Sequence, residues 1–187
     1  ASVIFAPSAA EMYPDGFSTT VDVGTITTPL EGHARGAVHF RGVATVVSKL
    51  LNIVRPTHAY FGQKDAQQVL VIKRLVRDLN VPVEIVTCPT VREADGLAMS
   101  SRNARLSPDA RAQALGLSAA LATVQLLTTN GERRAALLQA AGTRILAAHG
   151  IDERPVVTWS EPKSISRETT FEHDLHARRD RAVLSEI

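Results

Sequence analysis

Two short polar stretches of the sequence carry residue types that can bind phosphate. The stretch ADGLAMSSRN (94–103) places the hydroxyls of Ser100 and Ser101 directly before the guanidinium of Arg102. Hydroxyls, backbone N–H groups and a guanidinium can together hold the oxygens of a phosphate group. Ser, Asn and Gly are also the ordinary residues of loops, so composition alone leaves a plain loop as the competing interpretation.

The second stretch, FGQKDAQQ (61–68), combines a glycine, a cation and a carboxylate. Gly62 allows a backbone to approach a ligand closely, Lys64 supplies a positive charge, and Asp65 can accept hydrogen bonds from ribose hydroxyls. The two glutamines that follow open a predicted helix, whose amino end favours an anion. The competing interpretation makes Asp65 a helix cap and Lys64 a solvated surface residue.

The elements around these stretches follow from the spacing of apolar residues. Apolar positions three and four apart predict a helix over 40–55, ended by Pro56, and a second helix over 64–80. Apolar runs at 57–62 and 82–89 predict strands directly before each polar stretch. This alternation indicates a parallel sheet with crossover helices, which binds ligands at the carboxyl ends of its strands. The sequence therefore predicts one nucleotide or phosphate site, although the P-loop and G-x-G-x-x-G patterns are both absent.

The apolar stripes of the two helices are predicted to face the sheet. They consist of Val43, Val46, Val47, Leu50, Leu51 and Val54 in the first helix, and of Val69, Ile72, Leu75, Val76 and Leu79 in the second. Outside this region, SVIFAP (2–7) predicts a short strand, FSTTVDVG (17–24) an irregular strand, and PVVTW (155–159) a further strand.

A change of character near Val91 predicts a domain boundary. Two long helices follow it, over 107–129 and 132–150, separated by the helix-breaking pair Asn-Gly. The predicted fold class is α/β, with a partial parallel sheet in residues 1–90 and a smaller α+β domain in residues 91–187.

Composition narrows the class of protein. The 187 residues carry a formal charge of only +2 despite a pI of about 9.0, which does not suggest a dedicated nucleic-acid binder. No apolar run approaches the about 18 residues that a membrane span needs. The single cysteine, Cys88, excludes an internal disulfide framework, fits a reducing cytoplasm, and is expected to be a buried small hydrophobe. A chain that opens at Ala1 in an apolar run is expected to be a piece of a longer polypeptide.

The motifs FGQKDAQQ and PTVREADGLAMSSRN, with LEG and HFRGVATVVSKL upstream, resemble the pantoate–β-alanine ligase (pantothenate synthetase) family. The resemblance is dense from Val3 to Leu106 and poor from Ile151 onward. It implies the nucleotidyltransferase variant of the Rossmann fold, a smaller C-terminal lid domain and a homodimer. It also implies that ATP with Mg²⁺ adenylates pantoate, and that β-alanine then attacks the acyl adenylate to give pantothenate and AMP.

The resemblance implies an ATP site built from both polar stretches. Residues of FGQKDAQQ would hold the ribose and meet the phosphates, two apolar residues of PTVREADGLAMSSRN would flank the adenine, and the S-S-R triplet would clasp the triphosphate. No side-chain nucleophile is needed, because the substrate carboxylate attacks. The catalytic set implied by position is Lys64, Ser100, Ser101 and Arg102. The implied ATP-binding positions are Gly62, Lys64, Asp65, Val91, Met99, Ser100, Ser101 and Arg102.

The resemblance also implies positions for the acid substrates. Gln68 would hydrogen-bond pantoate, whereas Glu31 and Arg35, in LEGHAR, would line the pocket that the second substrate enters. No residue is assigned as a metal ligand.

Two departures from the family pattern are visible. The H-x-G-H motif, whose histidines stabilise the reacting phosphate in the family, is absent, and His173 with His176 is interpreted as a solvated face rather than a metal site. The family reads R-P-x-H-F where this chain has RGAVHF (35–40), with an extra residue and no proline, which frees φ and alters how Arg35 points. His39 is interpreted as structural.

Three hypotheses remain open at this point. The first is a ligase of this family whose amino-terminal part is missing from the chain. The second is a non-catalytic nucleotide-binding or dimerisation module of the same fold. The third is a related adenylate-forming enzyme for another carboxylic acid, a choice that the position of Gln68 would make. A sheet without its first strands would expose an edge and an apolar face, so poor solubility or swapped dimers are expected.

Overall fold

The structure, a computed structural model, describes residues 2–151, 157–158 and 183–184. Its helices are α1 (Ala9–Met12), α2 (Glu31–Arg35), α3 (Ala37–Val54), α4 (Ala66–Asp78), α5 (Pro108–Thr129) and α6 (Ala135–Ala148). Its strands are β1 (His58–Gly62), β2 (Glu84–Cys88), β3 (Val157–Thr158) and β4 (Val183–Leu184). Short 3-10 turns cover Gly24–Thr27, Gln63–Asp65 and Ser101–Arg105.

The chain divides into two compact units. The first contains the described residues up to Phe61 together with Gln67–Val86, and the second contains Gly62–Ala66 and the described residues from Thr87 onward. The domain boundary expected near Val91 stays a prediction.

The core of the first unit joins two helices to a small sheet. Val47 and Leu51 of α3 and Ile72 of α4 are buried together, and side chains of both strands pack against them. The strands β1 and β2 form a parallel pair, and the Glu84 N–H at the start of β2 donates to the Thr57 carbonyl beside the start of β1 (2.9 Å). The predicted alternation of α3, β1, α4 and β2 is therefore confirmed.

The last residue of each predicted apolar stripe is exposed. Val54 ends α3, and Leu79 lies one residue beyond the end of α4, so neither reaches the core. Tyr60 is also exposed, which makes β1 a strand with one open face rather than a buried one. Cys88, expected to be buried, is half-buried at the end of β2.

The strand predicted over 2–7 is wrong. The segment pairs with no strand among the described residues, and Val3 and Ile4 are 82% and 86% exposed. A strand needs backbone partners as well as β-branched residues, and a local pattern cannot supply them.

The irregular strand predicted over 17–24 is also wrong, because side chains satisfy its backbone. The Val21 N–H donates to Thr45 Oγ1 (3.0 Å), and the Gly24 N–H donates to the Asp22 carboxylate (2.8 Å), which opens the 3-10 turn that follows. Such local side-chain bonds compete with a sheet ladder.

The second unit is built around the α5–α6 hairpin. As predicted, Ser107 caps α5 by accepting the Ala110 N–H (3.1 Å), and the helix ends before Gly131, which has φ 97°. The second helix begins at Ala135 rather than at 132. The Glu132 carboxylate accepts the N–H groups of the two residues that follow it, and this holds the first residues in a turn.

Helix α5 is long and apolar enough over an 18-residue window to meet the length and composition test for a membrane span. The expectation that no apolar run approaches this length therefore overlooked α5. A single helix of this kind is weak evidence for a membrane span, and α5 packs on α6 within the second unit. The short strand expected in PVVTW is present as β3, which pairs antiparallel with β4.

Candidate functional site

The stretch FGQKDAQQ (61–68) contains the link between β1 and α4. Gly62 ends β1 with φ −73° and ψ 133°, a conformation open to any residue, so the backbone does not require glycine there. A Cβ at Gly62 would meet no atom within 4 Å, which leaves open space beside the backbone. Lys64 and Asp65 follow in the 3-10 turn, the lysine half-buried and the aspartate exposed. The open space and the charges are the features that a bound nucleotide needs.

The stretch ADGLAMSSRN (94–103) begins in a hairpin over 91–99 rather than in a plain loop. The Met99 N–H donates to the Val91 carbonyl (2.9 Å), and the Glu93 N–H donates to the Leu97 carbonyl (2.7 Å). Gly96 turns the chain with φ 94°. The side chains of Val91 and Met99 are 65% and 57% exposed, although their backbones are paired. The hairpin thus holds two apolar side chains on its surface, where a flat apolar group could lie against them.

The S-S-R triplet follows the hairpin directly. The Ser100 hydroxyl accepts the Arg102 N–H (3.2 Å) and so caps the 3-10 turn Ser101–Arg105. Ser101 and Arg102 are exposed. Within the described ranges, the guanidinium of Arg102 has no ion-pair or hydrogen-bond partner. Its charge is therefore available to an anion.

An anchor that the sequence did not predict fixes this hairpin. The Arg111 guanidinium in the first turn of α5 binds the carboxylates of Glu93 and Asp95, each at 2.6 Å. The Asn103 side chain donates to Glu93 (2.7 Å) and to the Ala98 carbonyl (2.9 Å). We call Glu93, Asp95, Asn103 and Arg111 the hairpin anchor. Arg111 ties the first arm of the hairpin to α5, and Asn103, the residue just after the triplet, joins Glu93 to the second arm at Ala98.

The charges of the hairpin anchor stabilise one another. The Arg111 hydrogen bond, followed by that of Asn103, lowers the pKa of Glu93 below its ordinary value. The pKa of Asp95 is lowered first by the Leu97 backbone N–H and then by Arg111. In turn, the hydrogen bonds to Glu93 and then to Asp95 raise the pKa of Arg111. The anchor therefore neutralises Arg111, in contrast to Arg102.

The residues predicted for the acid substrates lie in the first unit. Gln68 is half-buried in the first turn of α4. The Arg35 guanidinium forms an ion pair with the Glu31 carboxylate at 2.9 Å, one turn apart in α2. Gly36 then separates α2 from α3 with φ 77° and ψ 159°. His39 of α3 stacks edge-to-face on the ring of its neighbour Phe40.

The structure thus distributes the predicted site residues over its two units. All eight predicted ATP positions belong to the second unit, whereas Gln68, Glu31 and Arg35 belong to the first. Within the part of the chain that the structure describes, no three histidine, cysteine or acidic side chains are grouped to hold a metal. His173 and His176 lie outside the described residues.

Three residues with evident roles were missed by the sequence analysis: Gln67, Asn103 and Arg111. Gln67 had a detectable signal, because it falls three and four positions before Leu70 and Val71 on the buried face of α4. A polar residue on an apolar stripe indicates a buried hydrogen-bonding role. Asn103 and Arg111 had no such signal, since their partners are set by the fold of the hairpin.

Comparison with known proteins identifies a family. A family model described as pantoate-beta-alanine ligase matches residues 1–185, a span that extends beyond Ile151, and the poor resemblance expected from Ile151 onward stays a prediction. The pantothenate synthetase of Roseiflexus castenholzii is 60% identical over 146 residues, which cover 78% of this chain and 52% of the relative. That of another Roseiflexus species is 50% identical over 183 residues, covering 98% and 63%. The chain therefore spans between about half and two thirds of the length of these relatives.

Solved structures give the same result. A pantothenate synthetase from Thermus thermophilus superposes with a TM-score of 0.79 at 47% identity, covering 86% of this chain and 58% of that one. A pantoate-beta-alanine ligase from Francisella tularensis, complexed with beta-gamma ATP and beta-alanine, has a TM-score of 0.60 at 35% identity, covering 74% and 51%. These neighbours confirm the predicted nucleotidyltransferase fold class. The chain belongs to the pantoate–β-alanine ligase family.

Proposed function

We propose that this chain contributes the ATP-binding and acid-binding residues of an ATP-dependent ligase that condenses pantoate with β-alanine. The observation that carries the proposal is the exposed S-S-R triplet, whose Arg102 has no partner within the described residues while the neighbouring Arg111 is neutralised. A cation left available beside the exposed Ser101 hydroxyl is an anion-binding arrangement. The Francisella tularensis relative, complexed with beta-gamma ATP and beta-alanine, supports the same substrates here.

The reaction has two steps. In the first, a carboxylate oxygen of pantoate attacks the α-phosphorus of ATP, and the bond to pyrophosphate breaks, which leaves pantoyl adenylate. In the second, the amine nitrogen of β-alanine attacks the acyl carbon, AMP leaves, and the nitrogen loses a proton to become the amide of pantothenate. Neither step needs a side-chain nucleophile, so the protein's contribution is placement and charge stabilisation.

Each predicted residue has a place in this scheme. Lys64 and Arg102 stabilise the negative charge that moves onto pyrophosphate, with the hydroxyls of Ser100 and Ser101 as further donors. Val91 and Met99 offer the adenine an apolar surface. The remaining ATP positions, Gly62 and Asp65, contact the ribose. Gln68 binds pantoate, and Glu31 with Arg35 lines the entry of β-alanine.

Mg²⁺ is proposed to enter with ATP. Magnesium keeps several waters and is commonly held through substrate phosphates with one or two carboxylates, rather than in a cage of protein ligands. We also propose a cytoplasmic homodimer, without a nucleic-acid or membrane partner.

AMP formation tests the proposed function. The chain is assayed with ATP, Mg²⁺, pantoate and β-alanine, each omitted in turn, both alone and with the amino-terminal half of the Roseiflexus castenholzii relative supplied. We expect AMP only when all substrates are present. ATP binding without AMP in either preparation would instead favour a non-catalytic nucleotide-binding module, and activity with a different acid would favour another adenylate-forming enzyme.

Arg102→Gln and a matched control distinguish a specific effect of the Arg102 side chain from the effect of losing any surface charge. Arg105 is an exposed arginine on the same 3-10 turn, so Arg105→Gln removes an equal charge three residues away. We expect Arg102→Gln to lower kcat/KM for ATP by about 100-fold or more, the effect of losing a donor to developing charge, and Arg105→Gln by less than about twofold. Equal losses in the two variants would contradict the assignment of Arg102.

A further inference from the structure

Gln67 is a buried polar residue of the FGQKDAQQ motif that has no role in the proposed reaction. It is 2% exposed, in the first turn of α4, directly before Gln68. Burying an amide is costly unless its donors and acceptor are paired, so its partners are informative.

The three side-chain hydrogen bonds of Gln67 all reach one backbone segment, 26–31. Its Oε1 accepts the Glu31 N–H (2.9 Å), and its Nε2 donates to the carbonyls of Pro29 (2.7 Å) and Ile26 (3.1 Å). These partners lie 36 to 41 positions away in the sequence. One side chain thus fixes both ends of the segment to the start of α4.

The segment that Gln67 holds is strained. Leu30 has φ 57° and ψ −122°, a region that non-glycine residues rarely adopt, and its side chain is buried. Gly32 sits so close to the Thr27 carbonyl that a Cβ there would lie 1.9 Å from the oxygen. Strain of this kind persists only where the surroundings fix the backbone, and the amide of Gln67 bonds to the residues on both sides of Leu30.

The same contacts connect two parts of the proposed substrate site within the first unit. Gln68 is the proposed pantoate ligand, and Glu31 forms the ion pair with Arg35 at the proposed entry of β-alanine. We propose that Gln67 is a positioning residue that sets where Glu31 and Arg35 lie relative to Gln68, and so determines the affinity for the two carboxylic-acid substrates. This inference rests on the proposed function.

The test compares two variants with a control. Gln67→Met keeps the length and volume but removes every hydrogen bond, and Gln67→Glu keeps the acceptor for the Glu31 N–H but loses both donors. Thr45→Val is the matched control, because Thr45 is also buried in the first unit and its hydroxyl bonds a distant backbone N–H, that of Val21. All are measured in the preparation that forms AMP.

We expect both Gln67 variants to raise the KM for pantoate and for β-alanine by about 10- to 100-fold, because small misplacements of substrate-binding residues have effects of up to about 100-fold. The KM for ATP should change by less than about twofold. In Gln67→Met, hydrogen exchange of the Glu31 amide should accelerate by about tenfold as its acceptor is lost. Thr45→Val should leave all three KM values unchanged.

A purely structural role gives a different result. The Gln67 variants would then behave like Thr45→Val: the amount of active protein and the kcat would fall, but the KM values would not change. That result would overturn the inference. Unaltered Glu31 exchange would overturn it as well. Calorimetric measurement of pantoate binding separates the two proposals. If the wild-type protein binds no pantoate, both the proposed function and the role of Gln67 are overturned. If wild type and Gln67→Met bind pantoate equally well, only the role of Gln67 is overturned.

Discussion

Gly36 gives the link between α2 and α3 a backbone conformation that proline could not adopt. Where the family reads R-P, this chain has Arg35-Gly36, and Gly36 takes φ 77° and ψ 159° between α2 and α3. Proline is fixed near φ −65° and could not adopt this conformation. The Gly36 N–H still donates to the Gly32 carbonyl (3.0 Å) and closes α2, so Arg35 stays in the helix and pairs with Glu31.

Gly36→Ala is expected to destabilise the first unit by about 1–3 kcal/mol, the cost of forcing a residue with a Cβ into a region that glycine alone favours. The cost is conformational, because a Cβ at Gly36 would meet no atom within 4 Å. Gly42→Ala is the control, since Gly42 lies inside α3 in open space and should gain about 0.5–1 kcal/mol of helix propensity. Urea denaturation measures both, and a stabilised Gly36→Ala would contradict the positive φ.

At the scale of the element, the hairpin over 91–99 depends on α5 for its position. Few backbone hydrogen bonds close it, and the ion pairs of the hairpin anchor supply the other contacts that hold it. In ADGLAMSSRN, two hydroxyls and an arginine are predicted to bind phosphate, and Asn103 has no predicted role. Asn103 and Arg111 hold the hairpin through Glu93, while Ser101 and Arg102 remain exposed.

Arg111→Met is expected to loosen the hairpin and weaken ATP binding by about 3- to 10-fold, a moderate effect because the ion pairs are partly exposed. Arg144→Met, an exposed arginine of α6 in the same unit, is the control and should bind ATP as wild type does. Fluorescent ATP titration gives the affinities. Wild-type affinity in Arg111→Met would show that the anchor does not position the hairpin.

The anchor also predicts a pH dependence. The pKa values of Glu93 and Asp95 are lowered from their ordinary values of 4.5 and 3.8, so their stabilisation is complete above about pH 4.5 and is lost as the pH falls through the lowered values. In Arg111→Met the largest cause of lowering at Glu93 disappears. NMR titration of the Glu93 carboxyl carbon should therefore show a midpoint at higher pH than in wild type. An unmoved midpoint would contradict the ion pair.

At the scale of the whole molecule, the described residues make a small sheet for a nucleotidyltransferase fold. The β1–β2 sheet has two strands, and Val3, Ile4 and Phe5 are exposed rather than packed. An apolar surface of this kind favours association. The relatives are longer, since the chain covers 52% of the Roseiflexus castenholzii protein.

We expect the 187-residue chain alone to self-associate, and the amino-terminal half of that relative to reduce the association by covering the exposed apolar residues. Size-exclusion chromatography with light scattering measures the mass in both preparations. Val3→Ser with Ile4→Ser should reduce association of the chain alone, while Tyr13→Ser, at a less exposed aromatic residue, serves as the control. A monodisperse, stable wild-type monomer would contradict this prediction.

The sequence by itself determined the elements whose causes are local. Apolar spacing and Pro56 defined α3, the Ser-Pro start defined α5, and two apolar runs located β1 and β2, because these signals act within a few residues. The motifs likewise identified the family and the residues proposed to meet ATP.

Only the tertiary structure decided which residues pair at a distance. It directed Gln67 to a segment about 40 positions earlier, joined Arg111 to the hairpin, and left 2–7 without a strand partner. Periodicity specifies which face of an element is apolar, but a hydrogen bond or a ladder needs a second group that the fold brings near. The roles of Asn103 and Arg111 were therefore visible only once the chain was folded, whereas Gln67 left a local signal as a polar residue on the buried face of α4.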